Sequence, residues 1–294
     1  IDSAKQLGLN FEVDILRNSL VELKTKSFKN YNGIISPYYK NETKIIAESV
    51  ANSDIPVITA NSSSLNKDLT NLFEALPSLH TQRLKLIEYL NSKKGNIILI
   101  SDTDRLENRK FVLEHAPETK TIEIDKKQEI TDSQLISKLD DNKTNYVIID
   151  SKRNSIFLNS TNSLLKNLAK YPTQIAVLEN SIIPDSKSIS SKRFKVLNLI
   201  YPEINQPTNN HETLLFTENY EKSFNSEITN HITYGFDITF DSLLRMSQLV
   251  SFEETAKKTK TKYLSLKFNY NKVDSGAYTN NNVLIQEYNK KESF

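Results

Sequence analysis

Short apolar runs and amphipathic stretches follow one another along most of the chain. Compact apolar runs of strand length lie at residues 31–36, 55–59, 96–100, 121–124, 146–150, 175–178 and 196–200. Apolar side chains at helical spacing lie between them, at residues 43–53, 79–90, 105–115, 133–139 and 156–169. This alternation predicts βαβ units and a parallel sheet with helices on both faces.

The two ends of the chain depart from this pattern. Residues 1–7 predict a helix that ends at Gly8, and residues 11–15 alternate as a strand does. An opening within a helix suggests a fragment of a longer chain, and a native helical N-terminus is the alternative. Residues 213–224 and 236–250 predict two consecutive helices, and the tail returns to strands at 263–270 and 283–288.

Composition excludes several classes of function. The 294 residues carry 38 basic and 36 acidic side chains, a net charge of +2, so no basic footprint for nucleic acid is present. Cysteine is absent, which excludes disulfides, thiolate metal sites and cysteine nucleophiles. No apolar run of membrane-spanning length occurs. With only 5 glycines, the chain also lacks the common phosphate-binding loops.

The titratable side chains form no catalytic pattern. The histidines are scattered and have no metal-ligand spacing: His80, His115, His211 and His231. Carboxylate pairs such as Asp140 and Asp141 are adjacent in sequence, and neighbouring side chains on a helix point apart. No nucleophile, base and orienting group occur together. We therefore expect no enzyme activity, no metal and no cofactor.

A series of short motifs resembles one known family. Pro37 is followed by IPVIT at residues 55–59 and by a serine-rich loop, and later by a phenylalanine, a Pro-Ser pair and a glutamine: Phe73, Pro77, Ser78 and Gln82. Tyrosine- and phenylalanine-containing helices follow at 216–220 and 234–237. In this order the motifs are similar to type I periplasmic binding proteins of the branched-chain amino-acid receptor type. They are also similar to a Bacteroidetes envelope-protein group that joins this fold to peptidoglycan-binding LysM modules.

The resemblance implies a two-lobed α/β fold with parallel sheets, helices on both faces, and the family's opening strand missing. Residues 1–92 and 208–250 would form lobe 1, and residues 93–207 and 251–294 would form lobe 2. The family's ligand cleft lies between the lobes, outside the carboxyl ends of the strands.

In lobe 1 the resemblance places the ligand contacts in two loops. Ser63 would keep the family's hydroxyl group, whereas Lys40 stands where the family has serine, and Tyr38, Tyr39 and Asn61 replace small residues. Lys40 could pair with a carboxylate but would repel an ammonium group, or it could be a solvated loop lysine. The tyrosines could plug the cleft or stack on a flat ligand.

In lobe 2 the candidates follow predicted strand ends: Asp102, Thr103, Asp150, Tyr201 and Glu203. Asp102 and Asp150 could instead cap the helices that follow them, the reading we favour for Asp102. The full set of predicted ligand contacts is Tyr38, Tyr39, Lys40, Asn61, Ser62, Ser63, Asp150, Tyr201 and Glu203.

These observations predict a non-catalytic, periplasmic-binding-protein-like module of the cell envelope. Its cleft would take a small anionic or amino-acid-like solute, or would be degenerate. The alternative is a ligand-free scaffold of an outer-membrane- or peptidoglycan-associated assembly in the periplasm. It would contact envelope proteins or peptidoglycan through regions outside this fragment. We expect neither a nucleic-acid partner nor a transmembrane segment.

Overall fold

The chain divides into two compact units, each built from two pieces of sequence. Unit 1 comprises Ile1–Leu79 and Ile204–Asn282, and unit 2 comprises His80–Glu203 and Val283–Phe294. The computed structural model describes residues 2–16, 26–36, 40–60, 68–185, 187–206, 211–273 and 276–288. The chain therefore leaves unit 1, completes most of unit 2, returns to unit 1 and ends in unit 2.

The described part of unit 1 is a sheet with helices. Its helices are α1 (Asp2–Gln6), α2 (Lys40–Ser49), α8 (His211–Phe224), α9 (Asn230–Met246) and α10 (Phe252–Lys258). Its strands are β1 (Ile34–Ile35), β2 (Val57–Thr59), β3 (Leu72–Glu74), β9 (Thr261–Lys262), β10 (Lys267–Phe268), β11 (Tyr270–Lys272) and β12 (Tyr278–Asn280). The main sheet has the order β1-β2-β3-β12-β11, and β9 and β10 form a separate antiparallel pair.

Unit 2 holds a six-stranded sheet. Its strands are β4 (Asn96–Asp102), β5 (Lys120–Ile124), β6 (Asn145–Asp150), β7 (Thr173–Ala176), β8 (Ile200–Glu203) and β13 (Leu284–Glu287). Its helices are α3 (Leu79–Ser92), α4 (Leu106–His115), α5 (Asp132–Ile136), α6 (Asn154–Lys166) and α7 (Ser191–Val196), with a 3-10 turn at Asn180–Ile182. The strand order in this sheet is β13-β8-β7-β6-β4-β5. Strand β13 is antiparallel to β8, and the other neighbouring pairs are parallel.

Burial explains the apolar runs in the middle of the central strands of unit 2. Every residue of β4 and β6 is buried, because alternate side chains enter cores on opposite faces of the sheet. Ile98 and Val147 pack in one core, and Leu99 and Ile148 pack in the other. Both faces are therefore covered, as the unbroken apolar runs predicted.

The cores of unit 1 also lie on two sides of its sheet. One contains Ile46 of α2 with Val57 and Leu72. The other contains Ile58, Phe73 and aromatic side chains from β10–β12. Phe73 stacks on Tyr278 at 4.8 Å between ring centroids, which joins β3 to β12 through side chains as well as through the backbone.

The structure confirms the predicted parallel pairing of the first two described strands. Ile34 of β1 lies opposite Val57 of β2. The strand–helix–strand order required this arrangement, since a crossover helix returns the chain in the same direction.

Two local predictions are wrong. Residues 11–15 form no strand, and Ile15 is 84% exposed. Within the predicted strand 196–200, α7 ends at Val196 and β8 begins only at Ile200. The strand predicted at 283–288 is present as β13, and it joins β8 in unit 2. Apolar alternation alone does not indicate which strand is available as a partner.

The two units also differ from the two lobes that the resemblance implied. The sequence assigned residues 251–294 to the second lobe, whereas unit 1 extends to Asn282. The physical reason is that β12 pairs with β3, which holds residues 278–280 in the sheet of unit 1.

Candidate functional site

Acidic side chains collect at one edge of the sheet in unit 2. Asp102, Asp150 and Glu203 are the last residues of β4, β6 and β8, and Glu179 follows β7. Because these strands are parallel, their carboxyl ends share this edge. Asp150 is fully buried and Asp102 is 8% exposed. Carboxylates buried to this degree require partners.

Arg105 and Asn108 neutralise and fix the carboxylate of Asp150. The Nε and Nη2 atoms of Arg105 donate to Oδ1 at 2.9 and 2.5 Å. The Nδ2 atom of Asn108 lies 3.1 and 3.0 Å from the two carboxylate oxygens. Burial would lower the pKa of Arg105, but the hydrogen bond and the charge of Asp150 outweigh it and raise that pKa.

Arg153 holds Asp102 in the same manner. Its Nε and Nη2 atoms donate to Oδ1 of Asp102 at 3.0 and 2.6 Å, and the Ser151 hydroxyl donates to Oδ2 at 2.7 Å. The remaining Nη1 of Arg153 donates to the carbonyls of Lys126 and Gln128. Arg153 therefore ties the end of β4 to the loop after β5.

Glu179 completes the arrangement. It accepts a hydrogen bond from Arg83 of α3, and the Nη2 of Arg105 lies 3.6 Å away. Burial alone would raise the pKa of Glu179, but the hydrogen bond and charge of Arg83 and the charge of Arg105 hold it below its usual value. We call these three carboxylates and three guanidinium groups the strand-end network: Arg83, Asp102, Arg105, Asp150, Arg153 and Glu179.

The capping hypothesis for Asp102 and Asp150 is wrong. The N-cap residues of α4 and α6 are Arg105 and Arg153, and neither helix has a side-chain cap. Both aspartate side chains bond to arginines and their neighbours instead, because buried carboxylates gain more from a guanidinium fork than from a partly solvated helix end.

The structure also places the other predicted residues of unit 2, which are Tyr201, Glu203 and Thr103. Tyr201 is 5% exposed and packs in the core of unit 2. Its side chain therefore does not line an exposed surface. Glu203 accepts a hydrogen bond of 2.7 Å from the Nδ2 of Asn180. The backbone N–H of Thr103 donates to Ile124, which continues the β4–β5 ladder.

Only one predicted contact of unit 1 falls within the described residues. Lys40 is the first residue of α2 and is exposed. Its helix is fixed nearby by a buried hydroxyl pair, Ser36 and Thr43, at 2.5 Å. The remaining predicted contacts lie outside the described residues: Tyr38, Tyr39, Asn61, Ser62 and Ser63.

Sequence reasoning missed the arginines of the strand-end network. A signal for two of them was present: arginine follows aspartate at the same spacing after two strands, as D-T-D-R at 102–105 and D-S-K-R at 150–153. The structure cross-pairs the two copies, because Arg105 binds Asp150 and Arg153 binds Asp102. Arg83 and Glu179 are 96 positions apart and carry no local signal.

A second group of buried charges lies in unit 1. Asp237 of α9 accepts backbone N–H bonds from residues 264, 265 and 266. Burial raises the pKa of Asp237, and these donors oppose the shift. One turn on, Asp241 pairs with Arg245 at 2.7 Å. These carboxylates anchor α9 to the following loop and to β9, so we assign them a structural role.

Neither unit offers a metal centre within the described ranges, since no group of three or more suitable side chains comes together there. Among the same residues, no helix combines the length and the apolar composition that crossing a bilayer requires.

Residues 6–170, more than half of the chain, match the family described as "Receptor family ligand binding region". The chain belongs to this family. Its members are ligand-binding modules and not enzymes, in agreement with the missing catalytic pattern. No curated protein matches the chain.

Solved structures with a similar fold are periplasmic or transporter-associated binding proteins. One is the periplasmic ligand-binding protein of a branched-chain amino-acid ABC transporter from Burkholderia xenovorans LB400, at 9% identity and a TM-score of 0.53, covering 88% of this chain and 72% of that one. A substrate-binding protein from Desulfitobacterium hafniense in complex with Leu has 11% identity and a TM-score of 0.51, covering 87% and 77%. A solute-binding protein from Rhodopseudomonas palustris HaA2 in complex with p-hydroxybenzoic acid has 11% identity and a TM-score of 0.51, covering 91% and 76%.

These similarities concern the fold. They confirm the predicted α/β class with parallel sheets and helices, and the predicted kinship with type I periplasmic binding proteins.

Proposed function

We propose that the chain is a non-catalytic solute-binding module of the cell envelope that works in the periplasm. The observation that carries the proposal is the strand-end network. It gathers charged side chains at the carboxyl edge of a parallel sheet, where open α/β folds bind their ligands. Membership of a ligand-binding family and the periplasmic proteins among the structural neighbours support the same role.

The exposed side of the network favours an anionic group on the solute. In each ion pair the arginine side chain is more exposed than the carboxylate side chain. The exposed fraction of the side chain is 26% for Arg153 against 11% for Asp102, and 17% for Arg105 against 0% for Asp150. Arg83 and Glu179 follow the same order, at 20% and 12%. Solvent therefore meets guanidinium groups at this edge, although the network as a whole is neutral. A guanidinium presents N–H donors in a geometry that fits a carboxylate.

The ligand class we propose is a small carboxylate, with or without an amino group. Structural neighbours bind leucine and p-hydroxybenzoic acid, both of which carry a carboxylate. For unit 1, the contacts we propose from the family resemblance are Lys40, Tyr38, Tyr39, Asn61, Ser62 and Ser63. In unit 2, the proposed contacts are Arg105, which holds Asp150, and Glu203; Tyr201 packs in the core and is not among them.

A second candidate is a ligand-free scaffold, and one observation favours it. Every carboxylate of the strand-end network already has an arginine, so the network leaves no charge that requires a solute. In this role the module would contact envelope proteins or peptidoglycan, associated with the outer membrane. The resemblance to the Bacteroidetes group joined to LysM modules supports this assembly role.

A thermal-shift screen separates the two functions. Amino acids, small carboxylates and peptidoglycan fragments are tested on the wild type, on Lys40→Ala and on the matched control Lys44→Ala, which alters the same helix. Under the binding proposal a carboxylate stabilises the wild type and the control. Loss of a charged hydrogen bond in Lys40→Ala weakens binding by about ten- to a hundredfold.

Two outcomes count against parts of this proposal. Equal stabilisation of all three proteins would keep solute binding but remove Lys40 from the site. A blank screen, together with co-purification of envelope proteins or sedimentation with peptidoglycan, would support the scaffold.

A further inference from the structure

The segment 255–273 concentrates positive charge. It contains six lysines and no acidic residue, in a chain whose net charge is only +2. Lys257 and Lys258 pair with the acidic residues of the preceding helical turn, Glu253 and Glu254. Within the described residues, Lys260, Lys262 and Lys267 have no ion pair. We call these three residues the lysine face.

The β9–β10 hairpin places like charges together. Lys262 lies directly opposite Lys267 in the antiparallel ladder, a position where like charges destabilise the pair. Lys260, two residues before Lys262, is exposed, and the backbone at Thr259 is extended. An extended continuation of β9 would place Lys260 on the same side as Lys262. An anionic group between Lys262 and Lys267 would remove their repulsion.

The opposite side of the hairpin is anchored to unit 1. The Thr261 hydroxyl donates to Oδ1 of Asp241 at 2.6 Å, and the Tyr263 hydroxyl donates to the same atom at 3.1 Å. Arg245, which is 3% exposed, donates to Thr261 and to the carbonyl of Thr259. The lysine face is therefore held on a fixed support.

We propose that the lysine face docks an extended acidic segment of a partner protein. Alternate residues of an extended chain repeat on one face at about 6.6–6.8 Å. A peptide with acidic residues at every second position would thus match the spacing of Lys260 and Lys262. The carboxylate that meets Lys262 would also meet Lys267, its cross-strand partner, where the repulsion is strongest.

The surroundings favour a protein over a membrane or a nucleic acid. Among the described residues, no exposed large hydrophobic side chain falls in 255–273, and the nearest ones in the preceding sequence are Leu249 and Val250, which leaves little apolar surface to insert into lipid. Phe268 and Tyr270 are buried, so their rings cannot form a platform for stacked bases.

Fluorescence anisotropy tests the proposal on the full 294-residue chain. The probe is a labelled synthetic peptide of alternating glutamate and threonine, compared with its glutamine-for-glutamate analogue. The variant carries Lys260→Gln, Lys262→Gln and Lys267→Gln. The matched control carries Lys110→Gln, Lys127→Gln and Lys152→Gln, three exposed lysines of unit 2 with no ion pair in the described residues.

The expected result is binding of the acidic peptide to the wild type and the control, and about tenfold weaker binding to the lysine-face variant, the sum of three ion pairs at the protein surface. Added salt weakens binding because Lys260 and Lys262 are exposed and Lys267 is half-buried. If circular dichroism shows that the triple variant is unfolded, Lys262→Gln alone serves, with an expected loss of about twofold.

Three results would overturn the proposal. The first is that the peptide does not bind the wild type. If the lysine-face variant then self-associates, the lysines serve to keep edge strands of different molecules apart. The second is an equal loss in the control variant. The third is tighter binding to phosphatidylglycerol-containing vesicles or to single-stranded DNA than to the peptide.

Discussion

At the scale of single residues, the buried carboxylates of the two units are stabilised in different ways. Asp237 relies on three backbone N–H donors, whereas Asp102 and Asp150 rely on arginines. The repeated aspartate–arginine spacing in unit 2 is visible in the sequence, but its cross-pairing is not. Each arginine could equally have turned back on its own aspartate, and only the adjacency of β4 and β6 decides otherwise.

Glu179 gives this network a pH dependence. Its pKa lies below the usual value in the folded chain. The stabilisation is therefore complete above the unfolded pKa of about 4.3, and it is lost as pH falls through the folded pKa, because the unfolded chain takes up the proton first.

We predict that Glu179→Gln lowers the free energy of unfolding near pH 7 by about 1–3 kcal/mol. The difference from the wild type should shrink as pH falls below about 4.3. Urea unfolding across pH checks this, with the exposed Glu114→Gln as control, which should track the wild type. A constant difference at every pH would contradict the assignment.

At the scale of elements, the sequence predicts well where many residues agree. The apolar run at 96–100 becomes part of β4, and the run at 146–150 lies within β6, because strands covered on both faces are mostly apolar on both sides. The sequence did not predict β3, which has only three residues and follows a polar loop. Its burial comes from β2 and β12 on either side, and this tertiary contact has no local signature.

Two glycines test how tightly these elements pack. A Cβ on Gly95, just before β4, would lie 2.4 Å from the carbonyl oxygen of Thr144 and 2.5 Å from the ring of Tyr146. A Cβ on Gly235, inside α9, would meet no atom within 4 Å.

We predict that Gly95→Ala destabilises the fold by about 1–3 kcal/mol, because the backbone of the neighbouring loop must shift. Gly235→Ala, the matched control, should stabilise it by about 0.5–1 kcal/mol, since alanine is the better helix former. Chemical denaturation measures both. Similar effects of the two substitutions would show that the loop before β6 yields at little cost.

At the scale of the whole molecule, the sequence did not predict which sheet each strand of the tail joins. The tail contributes β11 and β12 to unit 1, and then β13 to unit 2. Hydrophobic pattern identifies such segments as strands, but it does not assign them to a sheet. The same limit applies to the predicted site. The sequence identified the residues at the strand ends, but it did not identify the side chains from distant segments that bond to them.

The last strand offers a direct test of this path. β13 pairs with β8 over four residues, and Glu287 accepts hydrogen bonds from Tyr89 and Asn198. Tyr288 adds a backbone bond to Leu199 and a ring contact with Phe194.

We predict that deletion of residues 283–294 exposes the edge of β8 and lowers its local opening free energy by about 2 kcal/mol or more, because ladder bonds and apolar contacts are lost together. Amides of β8 should then exchange at least about thirtyfold faster, while the strands of unit 1, which contain none of the deleted residues, keep their protection. Hydrogen exchange read by mass spectrometry measures both units in one experiment.

Deletion of residues 289–294 alone is the control, since it retains β13 and should leave β8 protected. Faster exchange confined to unit 1 would show that the tail belongs to the other sheet, because protection is lost where pairing is removed.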